Sequence, residues 1–143
     1  MKIQKIREVK TPTRGTSKSA GIDFYTPDDL TPILLGPGED ALIPSGIKAQ
    51  VPAGHALVAF NKSGVATKNK LIKGAEVVDE DYQGEIHIHV FNNGRTTTMI
   101  NPGQKLMQFV LLQVNYEDVE VVESLDQIES ERGEGGFGST GIH

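Results

Sequence analysis

The sequence predicts an all-β fold, a jelly-roll-like barrel or sandwich of many short strands that ends in a flexible C-terminal arm. Three observations point there. Runs rich in Val, Ile and Phe are short, and 16 glycines and 7 prolines break the chain between them. The stretch Glu85-Ile86-His87-Ile88-His89-Val90 alternates polar and apolar residues, the period of a strand with one buried face. Helical spacing is confined to residues 65–71 and 124–128, each able to hold a helical turn.

In chain order, strands are expected at residues 41–44, 47–51, 55–60, 75–78, 85–92, 97–100, 105–112 and 119–122. Between them, Pro37-Gly38, Pro52-Ala53-Gly54, Asn92-Asn93-Gly94 and Asn101-Pro102-Gly103 carry the residue types that tight turns need. No internal repeat is visible. The chain divides into a barrel domain, 1–129, and an arm, 130–143, which reads SERGEGGFGSTGIH. Such a glycine-rich terminus cannot pack alone and is expected to be mobile. Phe137 and Arg132 are unusual in a mere spacer. An aromatic ring is costly to leave in water, and an arginine can bind phosphate.

The bulk composition narrows the function. The chain's 143 residues suit one domain. The net charge of −5, from 14 basic and 19 acidic side chains, argues against the broad basic surface that nucleic-acid binding needs. It still allows a local phosphate site. Without cysteine there is neither a disulfide framework nor a thiolate metal site. His55, His87, His89 and His143 form no zinc pattern. No apolar run approaches the roughly 20 residues that cross a bilayer, and MKIQKIREVK lacks the apolar core of a signal peptide. A cytoplasmic protein, partnered by neither nucleic acid nor membrane, is the expectation.

Besides the arm, four segments could carry chemistry. In Ser19-Ala20-Gly21-Ile22-Asp23-Phe24-Tyr25, Asp23 by itself reads as a surface or turn residue. Asn61-Lys62-Ser63-Gly64-Val65-Ala66 follows a strand and can present amides, a hydroxyl and an ammonium to phosphate. It lacks the glycines of a Walker A loop, and alone it equally describes an ordinary turn. Around Asp79-Glu80-Asp81-Tyr82-Gln83-Gly84-Glu85, carboxylates crowd a strand end. They could hold Mg²⁺ or activate water, or simply form a solvated hairpin. In Gly103-Gln104-Lys105-Leu106-Met107-Gln108-Phe109-Val110, Gln108 shares strand parity with Leu106 and Val110. A glutamine on that buried face needs hydrogen-bond partners, from the fold or from a ligand.

Taken together, in this order and spacing, these five segments resemble the trimeric dUTPase family. It is recognised by an AGxD motif, an RSG-like motif, a DxDYxGE motif, a GxxxxQ motif and an RGxGGFGSTG arm, which here run from residue 19 to 141. The resemblance implies a homotrimeric enzyme with shared active sites. With Mg²⁺ it would cut dUTP to dUMP and pyrophosphate by water attack on the α-phosphorus, limiting uracil in DNA and supplying dUMP for dTMP synthesis.

The same resemblance assigns the residues. Asp79 would position and activate the water, and Asp23 would hold a metal-bound water without touching the metal. Tyr82 would sit against the deoxyribose and exclude a 2′-hydroxyl. The backbone of Gly74, Ala75, Glu76, Val77 and Val78 would read uracil. Lys62, Ser63 and Gly64 would cradle the phosphates with help from Gln108. From the arm, Phe137 would stack on the base beside Gly138, Arg132 would pair with phosphate, and Ser139 and Thr140 would bond the γ-phosphate.

Three positions depart from the family pattern. Lys62 stands where arginine is usual, which keeps the charge but loses the bidentate fork. Gln83 also replaces an arginine. Glu76 stands where glycine is commoner, so its side chain must point away from the base. These departures bear on affinity more than on reaction type. Two other readings share the fold: a dCTP deaminase-like relative, and a non-catalytic regulatory or capsid-like protein. The full arm motif weighs against the first, and Asp79, Tyr82 and the arm weigh against the second.

Overall fold

A computed structural model describes residues 1–126, 128–130 and 133–135. Eleven strands and one helical turn account for its regular structure. The strands are β1 (Lys2–Lys5), β2 (Ile22–Tyr25), β3 (Ile33–Leu35), β4 (Asp40–Pro44), β5 (Ile47–Gln50) and β6 (His55–Asn61). After a π-type turn at Val65–Asn69 come β7 (Leu71–Lys73), β8 (Val77–Val78), β9 (His87–Asn92), β10 (Thr98–Ile100) and β11 (Lys105–Gln113). Every ladder is antiparallel. The strands form a four-stranded sheet, β2-β11-β6-β8, a three-stranded sheet, β4-β9-β7, and the pairs β1-β5 and β3-β10. This is the all-β architecture that the short runs predict.

The sheets close on one core. Phe24, Ile43, Ile47, Leu57, Ile86, Ile88, Ile100, Met107 and Phe109 are each at most 2% exposed. Burying side chains of this size contributes roughly 1.5–3 kcal/mol each. Phe24 on β2 and Phe109 on β11 meet at 4.5 Å between ring centroids, joining neighbouring strands across the sheet. The alternation at 85–90 behaves as expected, for Ile86, Ile88 and Val90 are buried while His87 is exposed.

Several expectations are corrected. The register of β11 against β2 shifts between Lys105 and Met107, so Leu106 and Met107 are both buried. Beyond this bulge the parity is reversed. Phe109 faces the core, and Gln108 lies half-buried on the opposite side with Val110. Residues 119–122 form no strand. Val119 and Val121 are 93% and 94% exposed, and the stretch pairs with no strand among the described residues. The described residues of 124–128 hold no helix, Gln127 lying outside them.

The turn expected at 65–71 is shorter. Lys70 takes a left-handed φ of 59°, which stops the helix, and Leu71 already begins β7. Strands β1, β2, β3 and β7 were not foreseen. In β1 the run Lys-Ile-Gln-Lys is exposed throughout and offers no buried stripe to detect.

Candidate active site

The site residues fall into two groups on the four-stranded sheet. In the first, Asp23 on β2 lies opposite Gln108 on β11, which lies opposite Phe60 on β6. The loop before β2 is tied by Arg14, whose Nη1 donates to the carbonyls of Ser19 at 2.5 Å and Ala20 at 2.7 Å. Gly21 is required here. A Cβ would fall 2.1 Å from Oε1 of Gln108, whose side chain crosses that point. Nε2 of Gln108 donates to the Asn61 carbonyl at 2.8 Å, which fixes the amide's orientation.

Asp23 is only 5% exposed, and two ammonium groups compensate its charge. Lys62 Nζ stands 2.5 Å from Oδ1, and Lys105 Nζ stands 3.4 Å from Oδ2. The hydrogen bond to Asp23, then the negative potential of Tyr25 and Asp23, hold the Lys105 ammonium above its usual pKa. One carboxylate between two ammoniums leaves a net positive group, suited to phosphate. No short motif marks Lys105, because its partner Asp23 lies 82 positions away in the sequence. Beside the trio, Ser63 and Gly64 are exposed at the head of the π-type turn. Thr67 Oγ1 donates to the Ser63 carbonyl at 2.7 Å and steadies that turn.

The second group surrounds a cavity of about 200 Å³ bordered by Ala75, Glu76, Val77, Val78, Asp79 and Tyr82. Val77 and Val78 pair with Val58 and Leu57 of β6, and Ala59 N–H donates to the Glu76 carbonyl at 2.7 Å. Glu76 turns its carboxylate to Lys73. The Ala75 amide donates to Nδ1 of His89 at 2.9 Å, so this N–H is already used. Asp79 is exposed at the end of β8, and its carbonyl accepts from Tyr82 N–H at 3.3 Å. Tyr82, 44% exposed, donates its hydroxyl to the Glu85 carbonyl at 2.9 Å.

Glu80, not singled out in the sequence, is a structural tie. It accepts from Gly54 N–H at 2.5 Å and from the Tyr116 hydroxyl at 2.9 Å. That hydrogen bond raises the Tyr116 pKa above the ordinary tyrosine value. The loop after β8 is thus joined to the chain leaving β11. A larger recess of about 680 Å³ between β1, β5 and this loop also touches Glu80 and Tyr82. The smaller cavity differs in being lined by the hairpin residues 75–79.

The two groups do not converge within one chain. Asp23, Lys62, Ser63, Gly64 and Gln108 do not border the cavity of Asp79 and Tyr82. Along β6, Phe60 marks the first group and Leu57, opposite Val78, the second. Those positions are about 10 Å apart at roughly 3.3 Å per residue, while Glu76, bonded to Ala59, comes within one residue of Phe60. Arg132, Phe137, Gly138, Ser139 and Thr140 lie outside the described residues.

Comparison with known proteins identifies the family. The dUTPase family model matches residues 7–141. The mouse deoxyuridine 5'-triphosphate nucleotidohydrolase is 38% identical over 130 residues, 91% of this chain and 77% of its own. That of Paraburkholderia xenovorans is 39% identical over 135 residues, 92% of this chain and 89% of its own. In fold, the dUTPase of Staphylococcus bacteriophage 80alpha with dUpNHpp superposes with a TM-score of 0.88 at 22% identity, covering 99% of this chain and 98% of that one. A dUTPase variant from phage phi11 of S. aureus, described with a structural Mg(II) ion, gives 0.77 at 23% identity, over 86% and 96%. With its family match spanning nearly the whole sequence and relatives of this identity, the chain belongs to the dUTPase family.

Proposed function

We propose that this protein hydrolyses dUTP to dUMP and pyrophosphate, in the cytoplasm, as a homotrimer using Mg²⁺. One observation carries the reading. Asp79 and Tyr82 border the same cavity as the backbone of 75–78, so a water-activating carboxylate stands beside a base-sized recess. In the proposed step Asp79 accepts a proton from water as its oxygen attacks the α-phosphorus. The bond to the β-phosphate bridging oxygen breaks, and pyrophosphate departs. Positioning and charge neutralisation supply most of the acceleration. Tyr82 stands where a 2′-hydroxyl would press on its ring, and hairpin backbone groups left free of β6 and His89 face the base.

Among the described residues no group of three or more His, Cys, Asp or Glu could hold a metal ion. The donor set fits an ion carried by the triphosphate and its water, with Asp23 accepting from that water. Bound in this way, Mg²⁺ would neutralise phosphate charge.

Two observations support a trimer with shared sites. Asp23, Lys62, Ser63, Gly64 and Gln108 do not border the cavity of Asp79 and Tyr82 in one chain, an arrangement that a second copy would complete. Beyond β11, Tyr116, Val119, Val121, Leu125 and Ile128 are 68–94% exposed, apolar surface that a neighbouring copy would cover. The arm, with Arg132, Phe137, Gly138, Ser139 and Thr140, would close the site as the nucleotide binds.

The test is a panel of dUTP, dCTP, dTTP and UTP, each with Mg²⁺ and with EDTA, read by product analysis alongside solution mass. Conversion of dUTP to dUMP by a trimer, lost in EDTA, is the expected result. Deamination of dCTP, intact dUTP, or an active monomer would overturn the reading.

A further inference from the structure

His89 on β9 sits at the corner where β7 gives way to the base-reading hairpin, and it contacts that corner three times. Its carbonyl accepts from Gly74 N–H at 2.8 Å. Its Nδ1 lies 2.9 Å from the Ala75 nitrogen, an obligate donor, so Nδ1 carries no proton. Its imidazole fills the space above Gly74, where a Cβ would come within 2.2–2.6 Å of ring atoms. The ring is not free to retreat. Nε2 lies 3.0 Å from Oδ2 of Asp40, and Phe91 packs on it at 4.9 Å between centroids. The proton of the neutral ring therefore sits on Nε2 and is donated to Asp40, leaving Nδ1 free to accept.

This chain, Asp40 to His89 to the Ala75 amide, ends on the first residue of the cavity-lining stretch 75–78. His89 does not border the cavity itself. Leu42, opposite His89 in the β4–β9 register, does. The effect is to remove one amide from the base's reach and to hold the hairpin's first turn at a fixed height over the sheet. Shape and hydrogen-bond matching then depend on a side chain outside the cavity.

We propose that His89, oriented by Asp40, is a positioning residue that sets base affinity and base selection by fixing the Gly74-Ala75 corner. The inference rests on the dUTPase reading of the hairpin. It assigns to this dyad a share of KM and of uracil-over-cytosine discrimination, but little of kcat.

The experiment uses the full-length protein. ¹⁵N NMR of the imidazole in the nucleotide-free wild type should show an unprotonated Nδ1 and a protonated Nε2; a protonated Nδ1 would overturn the proposal. This readout needs no activity, so it separates failure of the dyad from failure of the dUTPase reading. Kinetically, His89→Val should raise KM for dUTP about ten-fold, because the corner loses the hydrogen bond that holds it in place, with kcat within about two-fold. It should also narrow the dUTP:dCTP preference. His89→Asn, whose Oδ1 can take the place of Nδ1, should restore most of KM, and Asp40→Asn should give an intermediate KM. A folded His89→Val protein with unchanged KM and preference would overturn the proposal. If His89→Val does not fold, failure of the Asn rescue in a folded His89→Asn protein would do so.

Discussion

Gly84 is the floor on which Tyr82 lies: a Cβ there would fall 2.3 Å from the phenol oxygen and 2.4 Å from the ring carbon that bears it. The glycine lets the ring rest on its own hairpin, with the hydroxyl bound to Glu85 three residues on. Two substitutions probe this pair. Tyr82→Ala should raise UTP hydrolysis relative to dUTP, because nothing then meets the 2′-hydroxyl. Gly84→Ala should also relax sugar selection by displacing the ring without removing it. Competition assays with both nucleotides read the ratio; an unchanged ratio in Tyr82→Ala would place sugar selection elsewhere.

Asp79 is exposed at a strand end and forms no ion pair among the described residues, so its carboxylate is available to water. Asp79→Asn keeps the shape and removes the base. Turnover should fall by about 10²–10⁴-fold, the usual contribution of a general base. Calorimetric binding of a non-hydrolysable dUTP analogue should be retained, and near-normal turnover would remove Asp79 from its role.

Lys62 bears both on the buried charge and on the substrate. Lys62→Ala leaves Asp23 with Lys105 alone, at the longer distance of 3.4 Å. Because Lys62 is itself partly exposed, the stability cost should be about 1–2 kcal/mol, less than for a fully buried pair. KM for dUTP should rise in the same variant. Lys62→Arg should keep the ion pair and lower KM through a bidentate grip on phosphate. Thermal melting and initial-rate kinetics separate the two roles.

The tie between Glu80 and Tyr116 has a pH signature. The hydrogen bond raises the folded-state pKa of Tyr116, so folding favours the protonated phenol. Its contribution is complete below the ordinary tyrosine value of 10.0 and is lost as pH rises through the folded value. Lys105, raised chiefly by its bond to Asp23, adds loss of the same sign just above its ordinary 10.5. The melting temperature of the wild type should therefore drop across this alkaline window. Tyr116→Phe should lie lower below pH 10 and show a shallower drop, and parallel curves would remove the tie from the account.

What the sequence displayed, and what it hid, follows from the range of the forces involved. Strand periodicity and turn chemistry are local, so β4, β5, β6, β9 and β11 were legible within a residue or two. The bulge at Lys105/Met107 is a property of two strands together, and it reversed the face assigned to Gln108. The apolar run 119–122 looked like a strand because its residues favour one, yet a strand also needs a partner, and among the described residues this run has none. Asp23, Asp79 and Tyr82 were singled out by motifs that are short and contiguous. Lys105, Glu80 and His89 act through partners 82, 26 and 14 positions away in sequence, which no short motif encodes.

The exposed stretch after β11 and the separated halves of the site make one prediction together. If each site is completed by other copies, the arm contributes to chemistry performed on a neighbouring chain, not to the stability of its own barrel. Removing residues 130–143 should leave the melting temperature and the trimer mass nearly unchanged, because the core ends with β11. Activity should nevertheless be almost lost, since Arg132 and Phe137 leave with the arm. Mixing this truncated protein with full-length Asp79→Asn, and allowing subunits to exchange, should then restore part of the turnover. In a mixed trimer an intact arm from one chain can close over an intact Asp79 from another. Failure of the mixture to regain activity despite proven exchange would mean that arm and carboxylate must belong to the same chain.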